Sequence, residues 1–108
     1  MAEKFDYIKN YFQRIAGGEF VGFNNAVYMS ERETADRNYS MGYWMKEHNC
    51  FPGGDKDVLL SSMDLYFQSC AMEVNTETLA VMGATLANGG ICPTTGEKVT
   101  IWGKIRIS

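Results

Sequence analysis

The clearest helix signal in this chain is the charged stretch Ser30-Glu31-Arg32-Glu33-Thr34-Ala35-Asp36-Arg37-Asn38. It places five charged residues and one amide in nine positions, although only 21% of the whole chain is charged. Ser30 followed by Glu33 has the spacing of a capping box, in which the two side chains satisfy free backbone N–H groups at a helix start. The pattern predicts a helix from Ser30 to about Glu47, with Glu31 and Asn38 two turns apart on one side of it.

Two interpretations of Glu31 and Asn38 are open at this point. A carboxylate and a primary amide on one helix face can bind a zwitterion, since the carboxylate meets an ammonium group and the amide donates to a carboxyl group. The alternative is a solvated helix start with local ion pairs, which is common because acidic residues stabilise the first turn of a helix. Spacing alone favours this alternative.

Further helices are predicted on both sides of this stretch. Residues 3–16 carry apolar residues at steps of three and four, typical of an amphipathic helix, and Gly17-Gly18 ends it. Residues 19–29 are expected to be an aromatic linker, and the run Cys50-Phe51-Pro52-Gly53-Gly54 breaks the central helix. The apolar stripe of the first helix consists of Phe5, Ile8, Phe12 and Ile15.

The second half of the chain predicts two more helices. Asp55 is a plausible cap for a helix through about Val74, and Asn75 or Thr76 for a fourth that stops at Asn88-Gly89-Gly90. Val99–Ile107 alternates apolar and polar residues, which is a strand pattern. Taken alone, the pattern gives a compact helical bundle of one domain or less. The expected inward stripes are Leu59, Met63, Tyr66 and Cys70 in the third helix and Leu79, Met82 and Leu86 in the fourth.

Composition excludes several classes of partner. The net charge is −3 with a pI of about 5.0, so no basic patch for nucleic acid or an anionic membrane is expected. No apolar run approaches the ~20 residues that cross a bilayer, and the first residues resemble neither a secretion signal nor a transit peptide. Three widely spaced cysteines and the single His48 do not form a disulfide framework or a zinc-ligand pattern. We therefore expect a reducing compartment, no metal and no cofactor.

Three segments in order carry a resemblance to a known family. They are Glu19-Phe20-Val21-Gly22-Phe23-Asn24-Asn25 through Asp36-Arg37-Asn38, then Asp64-Leu65-Tyr66-Phe67-Gln68-Ser69-Cys70, then Ala80-Val81-Met82-Gly83 through Thr94-Thr95-Gly96-Glu97. Residues 2–99 resemble an internal part of the catalytic domain of serine-dependent glutaminases, especially the kidney-type animal enzymes. The resemblance implies a mainly α segment, the helical subdomain of a β-lactamase-like or penicillin-binding-protein-like α/β domain, with a possible short C-terminal strand. Residues 100–108 are a tail that the resemblance does not cover.

The resemblance also implies roles for individual residues. Glu31 matches a glutamate that meets the α-ammonium of L-glutamine, and Asn38 an asparagine that holds the same end of the substrate. Tyr66 matches a tyrosine near the reacting centre, implicated in proton transfer or orientation, which suits a phenol that both donates and accepts. From sequence alone, core packing is the simpler role for Tyr66. In kidney-type enzymes, the face that corresponds to Asp36, Tyr39, Tyr43 and Trp44 joins subunits into larger homo-oligomers.

The family's nucleophile is a serine in Ser-x-x-Lys, and none of the six serines here has lysine three residues later. We therefore expect a glutaminase segment that is inactive alone, its nucleophile belonging to a preceding segment. The alternative is a non-catalytic helical module that associates with itself or with full-length glutaminase through its exposed aromatics. The full-length animal enzyme is expected in mitochondria. Glu31 and Asn38 without the rest of the site should bind glutamine only weakly, because binding costs several kcal/mol in lost translational and rotational freedom.

Overall fold

The computed structural model describes residues 2–51, 53 and 55–100, and helices dominate these residues. The prediction of a mainly α chain is therefore confirmed. In chain order the elements are α1 (Ala2–Ile15), β1 (Val21–Phe23), α2 (Asn25–Glu33), α3 (Asp36–Glu47), α4 (Lys56–Cys70), β2 (Met72–Val74) and α5 (Thr76–Ala87).

The chain divides into two compact units. The first, the helical unit, consists of residues 24–71 with the start of α1, and it contains α2, α3 and α4. The second, the strand unit, consists of the rest of α1, β1, β2, α5 and the segment that follows α5. In sequence, the three helices α2, α3 and α4 therefore lie between the two strands.

The predicted helix from Ser30 to Glu47 is wrong, because this region forms two helices. α2 begins earlier, where the Asn24 side chain accepts a hydrogen bond from the Val27 N–H at 3.1 Å. It ends at Thr34, whose backbone N–H and hydroxyl both donate to the Ser30 carbonyl, at 3.1 and 2.9 Å. Ser30 thus lies inside α2 and caps nothing. α3 starts afresh after Ala35, which provides no side-chain cap.

The core of the helical unit forms around α4. Leu59 and Phe67 are fully buried, and α2 and α3 both pack against α4. α3 lies against α4 at Gly42, where a β-carbon would make an ordinary van der Waals contact with Leu59 at 3.6 Å. The inward-facing apolar stripe predicted for this helix is correct at Leu59 but wrong at Tyr66 and Cys70, which are exposed. The buried position is Phe67, one residue further, whose ring packs edge-to-face on Tyr39 of α3.

The strand unit contains a two-stranded antiparallel sheet that sequence analysis does not predict. β1 pairs with β2 in the register Val21↔Val74, Gly22↔Glu73 and Phe23↔Met72. Residues 19–29 are therefore not a linker, and the third helix does not continue to Val74. Strands this short carry almost no local periodicity, so only the pairing across the sequence defines them.

α5 buries threonines instead of leucines. Its cap is Asn75, as predicted, whose side chain accepts from the Thr78 N–H at 2.8 Å. Thr78 and Thr85 are fully buried, while Leu79 and Leu86 are 58% and 47% exposed, so the predicted inward stripe is wrong at both leucines. The threonine hydroxyls donate to the carbonyls of Phe20 and Ile15, at 2.7 and 2.6 Å.

The apolar core of the strand unit lies near α5. Ile15, Cys92 and Val99 form a buried cluster. After α5, the chain turns at Asn88-Gly89-Gly90 as predicted, with both glycines at positive φ. Gly90 also permits a close approach, because a β-carbon there would lie 2.6 Å from the Thr100 carbonyl oxygen. The partly buried side chains packed on the cluster are Tyr11, Phe12, Val81 and Met82.

The turn over residues 93–96 is confirmed by a 2.7 Å hydrogen bond from the Gly96 N–H to the Cys92 carbonyl. Lys98 forms an isolated antiparallel bridge with Ile91. Residues 101–107 of the predicted C-terminal strand lie outside the described residues.

We expect replacement of Thr85 by valine to destabilise the strand unit although the two side chains have nearly the same shape. The buried Ile15 carbonyl loses the hydroxyl that donates to it at 2.6 Å, and an unsatisfied buried polar group costs about 1–3 kcal/mol. Urea unfolding followed by circular dichroism measures the loss. Thr76→Val, at an exposed position of the same helix, is the matched control and should change stability by less than about 0.5 kcal/mol. Equal stability of the two variants would contradict the assignment.

Candidate functional site

The three residues singled out as ligands all belong to the helical unit. Glu31 lies in the last turn of α2 and is exposed, and Asn38 lies in the first turn of α3 and is half-buried. Tyr66 lies in the second half of α4 and is 51% exposed. The prediction that Glu31 and Asn38 share one helix face is therefore wrong, since a helix break separates them.

The structure nevertheless brings Asn38 and Tyr66 together. Both line an open cavity of about 370 Å³ between α3 and α4. Its wall combines apolar side chains with three polar ones, the amide of Asn38, the hydroxyl of Ser62 and the phenol of Tyr66. Binding sites for small molecules commonly have this character, an apolar pocket with a few convergent polar groups. The remaining lining residues are Met41, Gly42, Met45, Phe51 and Met63.

Glu31 does not line this cavity, but its charge acts on Tyr66. The pKa of Tyr66 is raised above its ordinary value, first by a hydrogen bond with the Cys70 thiol and then by the Cys70 charge, burial and the Glu31 carboxylate. A phenol is protonated at neutral pH already at its ordinary pKa, and the upward shift leaves the Tyr66 hydroxyl able to donate a hydrogen bond as well as accept one. The ring is held edge-to-face against buried Phe67, with centroids 5.9 Å apart.

Sequence reasoning missed a contact beside these residues. The Tyr28 hydroxyl donates to the Asp64 carboxylate at 2.5 Å, joining α2 to α4. The two residues are 36 positions apart, so no local spacing signal could have revealed the pair. Cys70, which carries the largest effect on the pKa of Tyr66, stands four residues after it and was treated only as a core residue.

The aromatic residues expected at an oligomer interface lie on α3 with different exposures. Trp44 is 62% exposed and Tyr43 39%, and Asp36 at the helix start is also exposed. Tyr39 is half-buried and packs edge-to-face on Phe67, with centroids 5.7 Å apart. Tyr39 thus contributes to the core of the helical unit, whereas Tyr43 and Trp44 offer free surface.

Other classes of site find little support within the part of the chain that the structure describes. No three His, Cys, Asp or Glu side chains in residues 2–51, 53 and 55–100 come close enough to hold a metal ion. Over the same residues, no helix has both the length and the apolar character needed to cross a bilayer. Cys50, Cys70 and Cys92 are free thiols.

Comparison with known proteins agrees with the fold. A family model described as glutaminase matches residues 1–107. The crystal structure of a probable glutaminase from Bacillus subtilis superimposes with a TM-score of 0.80 at 29% identity, covering 94% of this chain and 31% of that one. The fold is thus that of the helical part of a β-lactamase-like domain.

Similar sequences extend the match to animals. The chain is 56% identical over 98 residues to the mitochondrial liver isoform of glutaminase from Rattus norvegicus, which covers 91% of this chain. It is 56% identical over 97 residues to putative glutaminase 2 from Caenorhabditis elegans, covering 90%. The chain belongs to the glutaminase family. It spans 16% of the length of these two curated relatives.

Proposed function

We propose that this segment forms the amino-acid-binding side of a glutaminase site, where L-glutamine is hydrolysed to L-glutamate and ammonia. The supporting observation is that Asn38 and Tyr66 line one cavity while the charge of Glu31 acts on Tyr66. Glu31 accepts from the α-ammonium of the substrate, and Asn38 donates to its α-carboxylate. Charge-assisted contacts of this kind are about twice as strong as neutral ones.

Tyr66 serves the reacting end of the substrate. Hydrolysis of an amide needs a proton for the departing nitrogen and a group that orients the carbonyl. A phenol that stays protonated at neutral pH can donate to the leaving nitrogen, and its edge contact with Phe67 limits its orientations. The thiol of Cys70 and the carboxylate of Glu31 both favour the protonated form.

The nucleophile comes from elsewhere in the enzyme. Ser62 lines the cavity, but the residue three positions later is Leu65, so Ser62 does not belong to a Ser-x-x-Lys motif. None of the other serines has a lysine at that offset either. Without an activated nucleophile, the acyl-transfer step is not available to this segment alone.

A grafted enzyme tests this proposal. In full-length rat liver glutaminase, residues 2–99 of this chain replace the aligned segment, which is 56% identical. We expect the grafted glutaminase to hydrolyse L-glutamine with kcat/KM within about tenfold of its host, because volume-conserving changes in a family fold are largely tolerated. A folded tetramer or dimer of the graft without activity would contradict the proposal.

We expect the isolated chain to release no ammonia from L-glutamine above the buffer blank, because it contains no Ser-x-x-Lys nucleophile. A coupled glutamate dehydrogenase assay at micromolar protein measures this. The host glutaminase at the same concentration is the positive control. Turnover by the isolated chain that a serine-directed glutamine analogue abolishes would overturn the assignment of the nucleophile to another segment.

A second candidate function is association through α3. The exposed Tyr43 and Trp44 are flanked by Met41 and Met45, which are 52% and 38% exposed. Exposed apolar patches of this kind mark interaction sites, so we propose that α3 pairs with a second copy of the chain or with full-length glutaminase. Asp36 would lie at the edge of this interface, and Tyr39 would support it from within.

The double substitution Tyr43→Ser/Trp44→Ser is expected to shift any oligomer of the chain towards monomer. Aromatic residues at the centre of an interface typically carry about 2 kcal/mol or more of binding energy each, so removing both should raise the dissociation constant by at least tenfold. Light scattering over a concentration series measures the change. Tyr7→Ser/Lys9→Ser, on α1, is the control. An unchanged oligomer would assign association to another face.

The names of two relatives indicate a cellular compartment, because the rat and mouse liver isoforms of glutaminase are both named as mitochondrial. We propose the same compartment for the enzyme that contains this segment. Free thiols at all three cysteines fit a reducing compartment such as the matrix. Cell fractionation with an antibody against this segment tests the proposal, and signal confined to the cytosolic fraction would contradict it.

A further inference from the structure

The hydrogen bond between Tyr28 and Asp64 links two helices that carry parts of the candidate site. Tyr28 lies on α2, one turn before Glu31, and Asp64 lies on α4, two residues before Tyr66. The hydroxyl donates to the carboxylate at 2.5 Å in a partly buried setting. This is the short geometry of an O–H group donating to an ionised acceptor.

α2 packs against α4, and its start is joined to the end of α4 by a hydrogen bond from the Asn24 N–H to the Ala71 carbonyl at 2.8 Å. None of its nine residues is fully buried, whereas α4 buries Leu59 and Phe67. A helix that is attached at one end and has no buried side chain can still rotate on its neighbour at low cost, because apolar contacts are not directional. A short directional bond from Tyr28 therefore has a large share in deciding how α2 lies along α4.

The electrostatics of the pair agree with this geometry. The pKa of Tyr28 is raised, first by its hydrogen bond to Asp64 and then by burial and the Asp64 charge. The Arg32 side chain acts in the opposite direction, which places a cation near the same phenol, one turn along α2. The Tyr28 hydroxyl thus remains protonated, and able to donate, throughout the neutral pH range.

We propose that Tyr28 and Asp64 are positioning residues that set the place of α2 on α4 and thereby hold the Glu31 carboxylate beside Tyr66. The inference rests on the proposed function, since it assumes that Glu31 receives the substrate ammonium group. Neither Tyr28 nor Asp64 is required to touch the substrate. Loss of the bond leaves every ligand side chain present but displaces the carboxylate that binds the amino-acid end.

The grafted enzyme separates this positioning role from a general structural role. Tyr28→Phe keeps the ring and removes only the hydroxyl. We expect it to raise KM for L-glutamine by about 3- to 10-fold while kcat stays within about twofold, as for a lost hydrogen bond to a charged group.

Substitutions of the partner residue test the same bond. Asp64→Asn, which keeps an acceptor oxygen, should show a smaller rise in KM than Asp64→Ala. Tyr7→Phe, at a position 73% exposed on α1, is the matched control. An unchanged KM in Tyr28→Phe would overturn the inference.

A measurement on the isolated chain decides the matter independently of activity. Amide hydrogen exchange followed by NMR reports local opening. We expect Tyr28→Phe to speed exchange in the last turn of α2, around Glu31, by about fivefold or more, and to leave α5 unchanged. Unchanged exchange in α2 would overturn the positioning role even if the graft is active. The two experiments can also disagree. If the unsubstituted graft is inactive while Tyr28→Phe speeds exchange in α2 of the isolated chain, the proposed function is rejected and the helix contact is established.

Discussion

Replacing Glu31 by glutamine in the grafted glutaminase is expected to lower kcat/KM for L-glutamine by about 10- to 100-fold. Glutamine keeps the size of the side chain but loses the charge that meets the α-ammonium, and a hydrogen bond between charged partners contributes about 1.5–3 kcal/mol. Most of the loss should be in KM, since this contact is made equally in the ground state and the transition state. Steady-state ammonia release over a glutamine series measures both constants.

The control for this substitution lies on the same helix. Glu33 is the last residue of α2 and is exposed, so Glu33→Gln removes the same charge two positions away from the proposed contact. We expect its kcat/KM to stay within about twofold of the unsubstituted graft, because exposed charges are screened by solvent. Equal losses in the two variants would show a general charge effect and contradict the specific role of Glu31.

The largest expected effect on stability comes from Phe67→Ala. Phe67 is fully buried on α4, and the rings of Tyr39 and Tyr66 both pack edge-to-face on it, at 5.7 and 5.9 Å. Truncating a buried phenylalanine costs about 3–5 kcal/mol, a large share of the 5–15 kcal/mol that stabilises a typical domain. Thermal unfolding by circular dichroism should show a strongly lowered midpoint.

A more exposed residue of the same helix provides the control for Phe67→Ala. Leu60 lies on the same helix but is 37% exposed, so Leu60→Ala should cost less than about 1.5 kcal/mol, because little apolar surface is re-exposed. If the two alanine variants unfold at the same temperature, Phe67 does not form the centre of the helical unit.

Local signals in the sequence located several helix ends well. Asp55 and Asn75 cap α4 and α5 as predicted, each accepting a backbone hydrogen bond from the residue three positions later. The amphipathic stripe of α1 predicted its extent to within about one residue at each end. These features depend on neighbours three or four residues away, which a single sequence displays directly.

Competition between local signals explains the error in the charged stretch. Ser30 and Glu33 satisfy the capping-box pattern, but Asn24 is an equally good cap and starts α2 six residues earlier. The helix then ends at Thr34, which donates to the Ser30 carbonyl. Glu31 and Asn38 therefore lie on different helices, and it is packing on α4 that places Asn38 beside Tyr66 in one cavity.

Long-range contacts explain the other differences. Thr78 and Thr85 are polar, yet both are buried, and the carbonyls of Phe20 and Ile15 accept hydrogen bonds from their hydroxyls. The bond between Tyr28 and Asp64 likewise joins positions far apart in the chain. No spacing rule within a helix or strand contains these contacts, so a single sequence could not have predicted them.

We propose that Glu31 binds the α-ammonium group of the substrate in the glutaminase site. This proposal is tested most directly by comparing kcat/KM for L-glutamine with kcat/KM for glutaramate, which has the same amide and carboxylate but lacks the α-amino group. We expect the grafted glutaminase to prefer L-glutamine strongly, and Glu31→Gln to lower this preference by about tenfold or more, the size of one charge-assisted hydrogen bond. A preference that stays the same in Glu31→Gln would contradict the proposal.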